Sequence, residues 1–144
     1  MVNVPTIYIA GPYSAPDAYQ VERNIRAIEE LGLIVIKAGG YPVMPHANTR
    51  YFHGTASPAF FYAATLKLMS RCDGLLLAPT WKTSHGATLE RDHWLGIRSI
   101  TLMLDLCGYA RHPNPNTKRG GACYDEVITV WLRERFNARA EGFK

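Results

Sequence analysis

The sequence predicts an α/β fold, in which a doubly wound parallel sheet of four to five strands lies between two layers of helices. Two observations lead to this prediction. Short segments that are apolar throughout alternate along the chain with longer segments that carry helix-start signals. Strands that are apolar throughout are typical of parallel sheets, because helices cover both faces of such sheets.

Length and composition indicate one globular domain, and we expect it to span residues 1–144. The chain is 47% hydrophobic and 19% charged, which excludes a disordered protein. No apolar run reaches the roughly 18 residues of a membrane span, and the first residues lack the pattern of a secretory signal. We therefore expect a cytoplasmic protein that has no membrane partner.

Charge and cysteine content limit the possible ligands. A formal net charge of +4 suits a small anionic ligand such as a phosphate, but it is too diffuse to predict nucleic-acid binding. Cys72, Cys107 and Cys123 are far apart and odd in number, which favours free thiols over disulfides or a zinc site. The histidines show no metal-ligand spacing, so we expect neither a metal nor a cofactor.

The first strand–helix unit begins at the N-terminus. "TIYIA", Thr6 to Ala10, predicts a buried strand that ends in the turn "GPYS". A helix then starts, with Ser14 as a candidate N-cap, Pro16 in the first turn and Asp17 as the acid of that turn. This helix ends by residues 39–40. Its apolar stripe comprises Val21, Ile25, Ile28 and Leu31.

The second strand is predicted over "YPVMPH", residues 41–46, and reaches His46. A loop follows, and Ser57 with Pro58 gives a second cap-plus-proline helix start. That helix runs towards Arg71.

The second half of the chain repeats the alternation. "DGLLLAP", residues 73–79, predicts the third strand, a helix begins near Gly86, and "SITLMLDL", residues 99–106, predicts the fourth strand. Residues 108–121 form a loop rich in Gly, Pro and Asn, and the final helix and tail lie within 122–144. The helix is predicted from about Tyr124 to Phe136.

Polar clusters follow the first three predicted strands: "GPYS", the "PH" of the second strand, and "TSHGATLE". Ligands of doubly wound sheets bind at the edge where the parallel strands end, which we call the carboxyl edge. The three clusters are therefore expected to meet there.

Glu90 is the most specific candidate for a functional residue in these clusters. In a helix that begins near Gly86, Glu90 shares one face with the apolar Ala87, Trp94 and Ile97. An acid near a helix start is commonly only a partner for the helix dipole. The alternative is a functional carboxylate in the ligand cleft, beside a glycine that lets a ligand approach the backbone.

Other residues of the clusters have both structural and functional interpretations. Ser14 can be a helix cap or a ligand contact, whereas Gly11 and Pro12 suit any tight turn. Tyr13 lies in the turn and can stack on a base. Tyr8 is expected to be buried in the first strand, where its hydroxyl needs a partner such as a carboxylate. No phosphate-binding loop or dinucleotide fingerprint is present in the sequence.

Four segments together resemble a known family. "IYIAGPYS", "PVMPH", "CDGLLLAP" and "SHGATLE" occur in the order and spacing of the nucleoside 2-deoxyribosyltransferase-like superfamily, across roughly residues 5–105. This superfamily includes nucleoside deoxyribosyltransferases, 2'-deoxynucleoside 5'-phosphate N-hydrolases and cytidylate N-glycosidases. The resemblance implies a flavodoxin-like sheet and the cleavage of an N-glycosidic bond.

The resemblance also implies roles for individual residues. The family's nucleophilic glutamate falls on Glu90, and the tyrosine that hydrogen-bonds it falls on Tyr8. Ser84 falls where the nucleotide hydrolases carry a serine for the 5'-phosphate and the transferases tend to carry an aspartate. His46 matches a hydrolase histidine. Gly11 and the turn to Ser14, which includes Pro12 and Tyr13, match the segment that touches the sugar 5' end. Gly86 is a further candidate substrate contact, because a glycine there lets a ligand approach the backbone.

The expected activity is therefore hydrolysis of a nucleoside 5'-monophosphate to free base and sugar phosphate, without a cofactor. One alternative is base transfer between free nucleosides, and another is a non-catalytic nucleotide-binding protein. Family members often have an acid on the helix before the third strand, and residues 57–72 contain none. The family also implies a homodimer or higher homo-oligomer, in which Thr117, Lys118 or Arg119 of "NTKRGG" can reach a partner's phosphate site.

Overall fold

The computed structural model describes residues 3–117 and 121–139. Its strands form one four-stranded sheet in which every pair of neighbours is parallel. The strands are β1 (Thr6–Ala10), β2 (Tyr41–Val43), β3 (Gly74–Leu77) and β4 (Met103–Asp105). Their order across the sheet is β2-β1-β3-β4. The chain thus adds β2 on one side of β1, and then β3 and β4 on the other side.

Helices cover both faces of this sheet. They are α1 (Ala18–Lys37), the one-turn α2 (Pro45–Asn48), α3 (Pro58–Ser70), α4 (His85–Ile97) and α5 (Tyr124–Phe136). Core residues of α1 and α5 pack against one face, and those of α3 and α4 against the other. The predicted α/β fold with three layers is confirmed, and its strand order is consistent with a flavodoxin-like arrangement.

Successive residues of β1 face opposite sides of the sheet, as the two-residue period of a strand requires. Ile7 and Ile9 belong to the core cluster beneath α1 and α5. Tyr8 and Ala10 belong to the cluster beneath α3 and α4. Because β1 lies inside the sheet, Tyr8 is fully buried. Its phenol must therefore find its hydrogen-bond partner on the α3–α4 side.

The predicted start of the first helix is wrong by several residues. The helix begins at Ala18, and its N-cap is Asp17, whose carboxylate accepts a hydrogen bond from the Gln20 amide at 2.7 Å. Ser14 is not the cap and lies exposed in the preceding turn. Asp17 takes the role because a short carboxylate caps at least as well as a hydroxyl.

Three strands are shorter than predicted. β3 covers Gly74–Leu77 instead of residues 73–79. β2 ends at Val43, and His46 lies in α2, because Pro45 lacks an N–H for the sheet and fits the first position of a helix. β4 starts only at Met103, because Ser99 caps a turn of 3₁₀ helix, accepting from the Thr101 amide at 3.2 Å.

The predicted bounds of α3 are confirmed. Ser57 caps α3, accepting from the Phe60 amide at 3.2 Å, and Arg71 is its C-cap. In the described ranges, no helix is long and apolar enough to span a bilayer. The three cysteines are free.

Gly39 follows the C-cap of α1 and has a backbone conformation that only glycine adopts easily. Its φ is +96°, and a Cβ there would overlap the backbone of Arg139. We expect Gly39→Ala to lower the free energy of unfolding by at least about 2 kcal/mol, because strain and overlap add. Urea unfolding followed by circular dichroism measures this loss.

Gly96→Ala is the matched control, because a Cβ at Gly96 meets nothing within 4 Å and the residue lies in α4. Alanine is the better helix former, so this variant should gain about 0.5 kcal/mol. Equal losses from the two substitutions would contradict the assignment of strain to Gly39.

Candidate active site at the carboxyl edge of the sheet

The candidate site lies where β1 and β3 end, next to the first turns of α4. Ser84 is the N-cap of α4, accepting a hydrogen bond from the Ala87 amide at 3.1 Å through its hydroxyl. Glu90 therefore lies on the second turn of α4. Ala87, Glu90 and Trp94 are all buried, whereas Ile97 is 46% exposed. The predicted common face of α4 is confirmed except at Ile97, where the helix ends.

Glu90 is the only charged side chain that is buried among the described residues, and just 4% of its surface is exposed. It lies under α4 against the cluster of Tyr8, Met69 and Trp94. Within residues 3–117 and 121–139, no Lys, Arg or His forms an ion pair with it. A buried carboxyl without a cation is costly and is characteristic of functional sites.

Tyr8 is the partner of this carboxyl. Its hydroxyl donates a hydrogen bond to Oε2 of Glu90 across the space between β1 and α4. Oε1 of Glu90 makes no hydrogen bond with the described chain, yet it is not among the polar atoms that are sealed from solvent without a partner. One oxygen is therefore held by Tyr8, and the other remains open towards solvent.

Burial and hydrogen bonding act on the carboxyl in opposite directions. Burial raises the pKa of Glu90 to about 7, and the hydrogen bond from Tyr8 opposes this rise because it favours the ionised form. Burial, followed by the negative charge of Glu90, raises the pKa of Tyr8 well above its usual value. Near neutral pH the pair therefore combines a neutral phenol with a carboxyl that can gain or lose a proton.

The turn after β1 borders the site and is held by His46. His46 Nε2 lies 3.2 Å from the Gly11 carbonyl oxygen, and the imidazole stacks on the Tyr13 ring at 4.9 Å between centroids. Asn24 of α1 donates to the Tyr13 carbonyl at 3.1 Å. His46 thus holds the turn through Nε2, which leaves Nδ1 for any contact with a ligand. Burial lowers its pKa, so the ring is neutral at pH 7.

Gly11 is required by close packing. A Cβ on Gly11 would lie 2.7 Å from Ile28 Cδ1 and 2.8 Å from Ala78 Cβ, which is inside van der Waals contact. The turn thus lies directly against α1 and the end of β3. Pro12 borders a depression on the α1 side of the sheet, which Glu90 does not line.

The start of α4 is open above the backbone. A Cβ on Gly86 would meet only the Ser84 hydroxyl oxygen, at 3.9 Å. The structure thus leaves room for a ligand at Gly86, as the sequence predicts, but packing does not require glycine there. Ser84 is half-buried, and its hydroxyl hydrogen remains available as a donor because the oxygen accepts the Ala87 amide.

The structure adds residues that the sequence analysis missed. Thr65 of α3 lies beside the Tyr8 hydroxyl, where it lowers the Tyr8 pKa slightly against the larger effects of burial and Glu90. Tyr62, one turn earlier on α3, is close enough for Glu90 to raise its pKa. The three- and four-residue spacing of Tyr62, Thr65 and Met69 was the available signal, since it puts them on one helical face.

A depression of about 440 Å³ lies on the β4 side of α4, lined by Trp81, Lys82, Thr88, Arg91 and Asp105. Arg91 also forms an ion pair with Asp92 at 2.8 Å. The Trp81 indole donates to Asp105 at 2.8 Å, and the Arg91 guanidinium lies 4.9 Å from the centre of the Trp81 rings. Thr88 lies one helical turn after Ser84, the N-cap of α4.

The remaining predictions concern metal binding and the segment "NTKRGG". Among the described residues no group of three or more His, Cys, Asp or Glu side chains is arranged to hold a metal ion. Thr117 lies in the loop before α5 and donates its hydroxyl to the Asn114 carbonyl at 3.1 Å. Lys118 and Arg119 lie outside the described residues.

Burial of Glu90 predicts a pH-dependent stability. An unfolded carboxyl ionises near pH 4.3, whereas Glu90 ionises near pH 7, so the folded state binds more protons between these values. Stability is therefore lost as the pH rises from about 4.5 to 7. Glu90→Gln keeps an acceptor for Tyr8 but does not ionise. We expect it to be more stable than the wild type at pH 8, by up to about 3 kcal/mol, and to lose this advantage at pH 5.

Urea unfolding at pH 5, 6.5 and 8 gives this difference. Glu134→Gln on the exposed side of α5 is the control for removing a carboxylate. A Glu90→Gln effect that is the same at all three pH values would show that burial does not disfavour the charge.

Comparison with known proteins gives a family but no activity. The profile of the family described as "Domain of unknown function (DUF4406)" matches residues 5–100, which is two thirds of the chain and includes both Tyr8 and Glu90. The match ends before β4 and α5. No curated protein matches the chain. The extent of the profile match shows that this chain belongs to the DUF4406 family of domains.

Proposed function

We propose that this protein hydrolyses the N-glycosidic bond of a nucleoside 5'-monophosphate, with Glu90 as nucleophile. The observation that carries the proposal is the state of this carboxyl: it is buried, held at Oε2 by Tyr8 and open at Oε1. Its pKa of about 7 leaves a substantial ionised fraction at neutral pH. A carboxylate that a hydrogen bond holds in place can stabilise an oxocarbenium-like transition state and can trap it covalently.

The reaction proceeds in two steps in this proposal. Glu90 Oε1 forms a bond to C1' while the bond from C1' to the base nitrogen breaks, and the electron pair leaves with the base. Water then attacks C1', which releases the sugar phosphate and restores the carboxylate. The proton lost by that water balances the proton that the departing base takes up. Tyr8 holds the carboxylate in position throughout.

The start of α4 supports a phosphate as the other end of the substrate. The Ser84 hydroxyl and the first amides of α4 are donors that suit an anion, and Gly86 leaves space above them. Lys82 adds positive charge beside the start of α4, whereas the charge of Arg91 is offset by its ion pair with Asp92 at 2.8 Å. Ser14 and the turn held by His46 border the same edge, where we infer further contacts with the sugar phosphate.

Two other functions remain alternatives. A deoxyribosyltransferase would use the same nucleophile but would resolve the intermediate with a second base; the hydroxyl of Ser84 and the nearby Lys82 favour a phosphorylated substrate instead. A nucleotide-sequestering protein would use the carboxyl edge without chemistry. The free Oε1 of Glu90 favours catalysis over sequestration.

Incubation with a panel of ribo- and deoxyribonucleosides and their 5'-monophosphates tests the proposal. We expect free base only from monophosphates, detected by chromatography. Glu90→Gln should lower the rate at least about 1,000-fold, and Tyr8→Phe by about 10- to 100-fold, because the first removes the nucleophile and the second its hydrogen bond. The rate should fall as the pH drops below about 7, where Glu90 becomes protonated.

The matched control is Glu134→Gln, which should keep the wild-type rate. Base exchange between free nucleosides would instead identify a transferase. Nucleotide binding without base release, unchanged in Glu90→Ala, would reject both catalytic functions.

We further propose that the protein acts as a homodimer through the α3–α4 face. α3 carries apolar side chains on all sides, with Lys67 as its only charged residue, yet only Met69 of its side chains is buried within one chain. Phe60 is 61% exposed, and Leu68 and Leu95 are 41% and 38% exposed. A helix that is apolar all round is expected to be covered, and a second copy provides an equally apolar surface.

Sedimentation velocity tests this interface. Leu68→Glu should convert a dimer to a monomer, because it would bury two charges at the interface. Leu33→Glu is the control, since Leu33 is 49% exposed but lies on α1 at the opposite face of the sheet. A monomeric wild type, or equal effects of the two substitutions, would reject the interface.

We also infer a cytoplasmic location. Nucleotide hydrolysis needs access to a nucleotide pool, and the three free cysteines suit a reducing compartment. The proposed partners are a small nucleotide and a second copy of the chain, without a nucleic acid.

A further inference from the structure

One face of α3 carries a series of side chains that lead from the core to the candidate site. Met69 is fully buried in the same cluster as Tyr8. Thr65, four residues earlier, lies beside the Tyr8 hydroxyl. Tyr62 precedes Thr65 by three residues, and the Thr65 hydroxyl donates to the Tyr62 carbonyl at 3.0 Å. The three residues therefore share the face of α3 that is turned towards β1 and α4.

The direction of α3 determines whether Tyr62 lies nearer than Thr65 to the carboxyl edge of the sheet. α3 follows β2 and leads back to the start of the parallel strand β3, so its first turns lie towards the carboxyl edge. Three residues of α-helix rise about 4.5 Å. Tyr62 is thus displaced by nearly one helical turn from the level of Tyr8 and Glu90 towards the edge at which a ligand enters.

The Tyr62 hydroxyl is a free donor. It makes no hydrogen bond with the described chain, and it is not sealed from solvent. Burial, followed by the carboxylates of Glu90 and Asp92, raises the pKa of this phenol. The group therefore stays protonated at neutral pH and can donate to a ligand. No charged residue exists in residues 57–66 of this segment to compete for the same ligand.

We propose that Tyr62 recognises the base of the bound nucleotide, donating a hydrogen bond that orients the base and stabilises the negative charge it gains on departure. This inference rests on the proposed hydrolysis at Glu90. The glycosidic electron pair moves onto the base as the bond from C1' breaks, and a hydrogen bond to that charge is stronger than one to the neutral base. No proton leaves Tyr62: the departing base takes its proton from water.

The dependence on the leaving group tests this role. We compare the wild type and Tyr62→Phe on the best nucleoside 5'-monophosphate and on 4-nitrophenyl 2-deoxyribofuranoside 5-phosphate, whose leaving group delocalises its charge without a donor. Tyr62→Phe should lower kcat for the nucleotide by about 10- to 100-fold and that for the nitrophenyl substrate by less than about 3-fold. KM for the nucleotide should change less than kcat, because the contact strengthens in the transition state.

Tyr41→Phe is the matched control, because Tyr41 is 61% exposed on β2 and should keep wild-type kinetics on both substrates. A role of Tyr62 in folding alone would slow both substrates equally, and that result overturns the inference. Unchanged kinetics in Tyr62→Phe, with an active wild type, overturns it while leaving the hydrolase function intact. A wild type that cleaves neither substrate overturns the hydrolase function and the inference together.

Discussion

The hydrogen bond between Tyr8 and Glu90 is the interaction on which the arrangement of the site depends. It links the central strand β1 to α4 across an apolar cluster, and it is the only hydrogen bond that the buried carboxyl makes within the described chain. Burial makes the charge unfavourable, whereas the phenol stabilises it, so the carboxyl can change protonation near neutral pH. A fold that needed only stability would have an apolar side chain at position 90 of α4.

The sheet provides the rigid frame for this pair. β1 and β3 are neighbours and are apolar on both faces, so the turns that follow them have fixed positions. His46 adds a second restraint, because its contact with the Gly11 carbonyl connects the turn after β1 to the short helix α2. The sheet and the His46 contact therefore fix the positions of the groups that form the candidate site, as accurate positioning requires.

Residues at this edge serve both structure and, in our proposal, substrate binding. Ser84 caps α4, yet its hydroxyl hydrogen remains free for an anion. Tyr62 lies on a helix that a single chain leaves largely uncovered, one turn from the buried pair. If a second copy covers α3, it also excludes water from the side of Tyr62, and dimerisation and base recognition become coupled through one helix.

The order along the chain of the strands and the four longer helices, the cap of α3, the bounds of α5 and the shared face of Ala87 and Glu90 were predictable from the sequence, because they follow from local periodicity and caps. The start of α1 and the end of β2 were predicted wrongly. Ser14 and Asp17 are both suitable N-caps for α1, and the residues around Pro45 suit either the end of a strand or one turn of helix, so local signals do not distinguish these alternatives. The contact between Tyr8 and Glu90 was expected from the family resemblance, and the folded chain contains it. The contact of His46 with Gly11, and the position of Thr65 and Tyr62 beside the pair, were not expected and are seen only in the folded chain. The physical reason is that these contacts join residues far apart in the chain, and their distances depend on how the helices pack against the sheet.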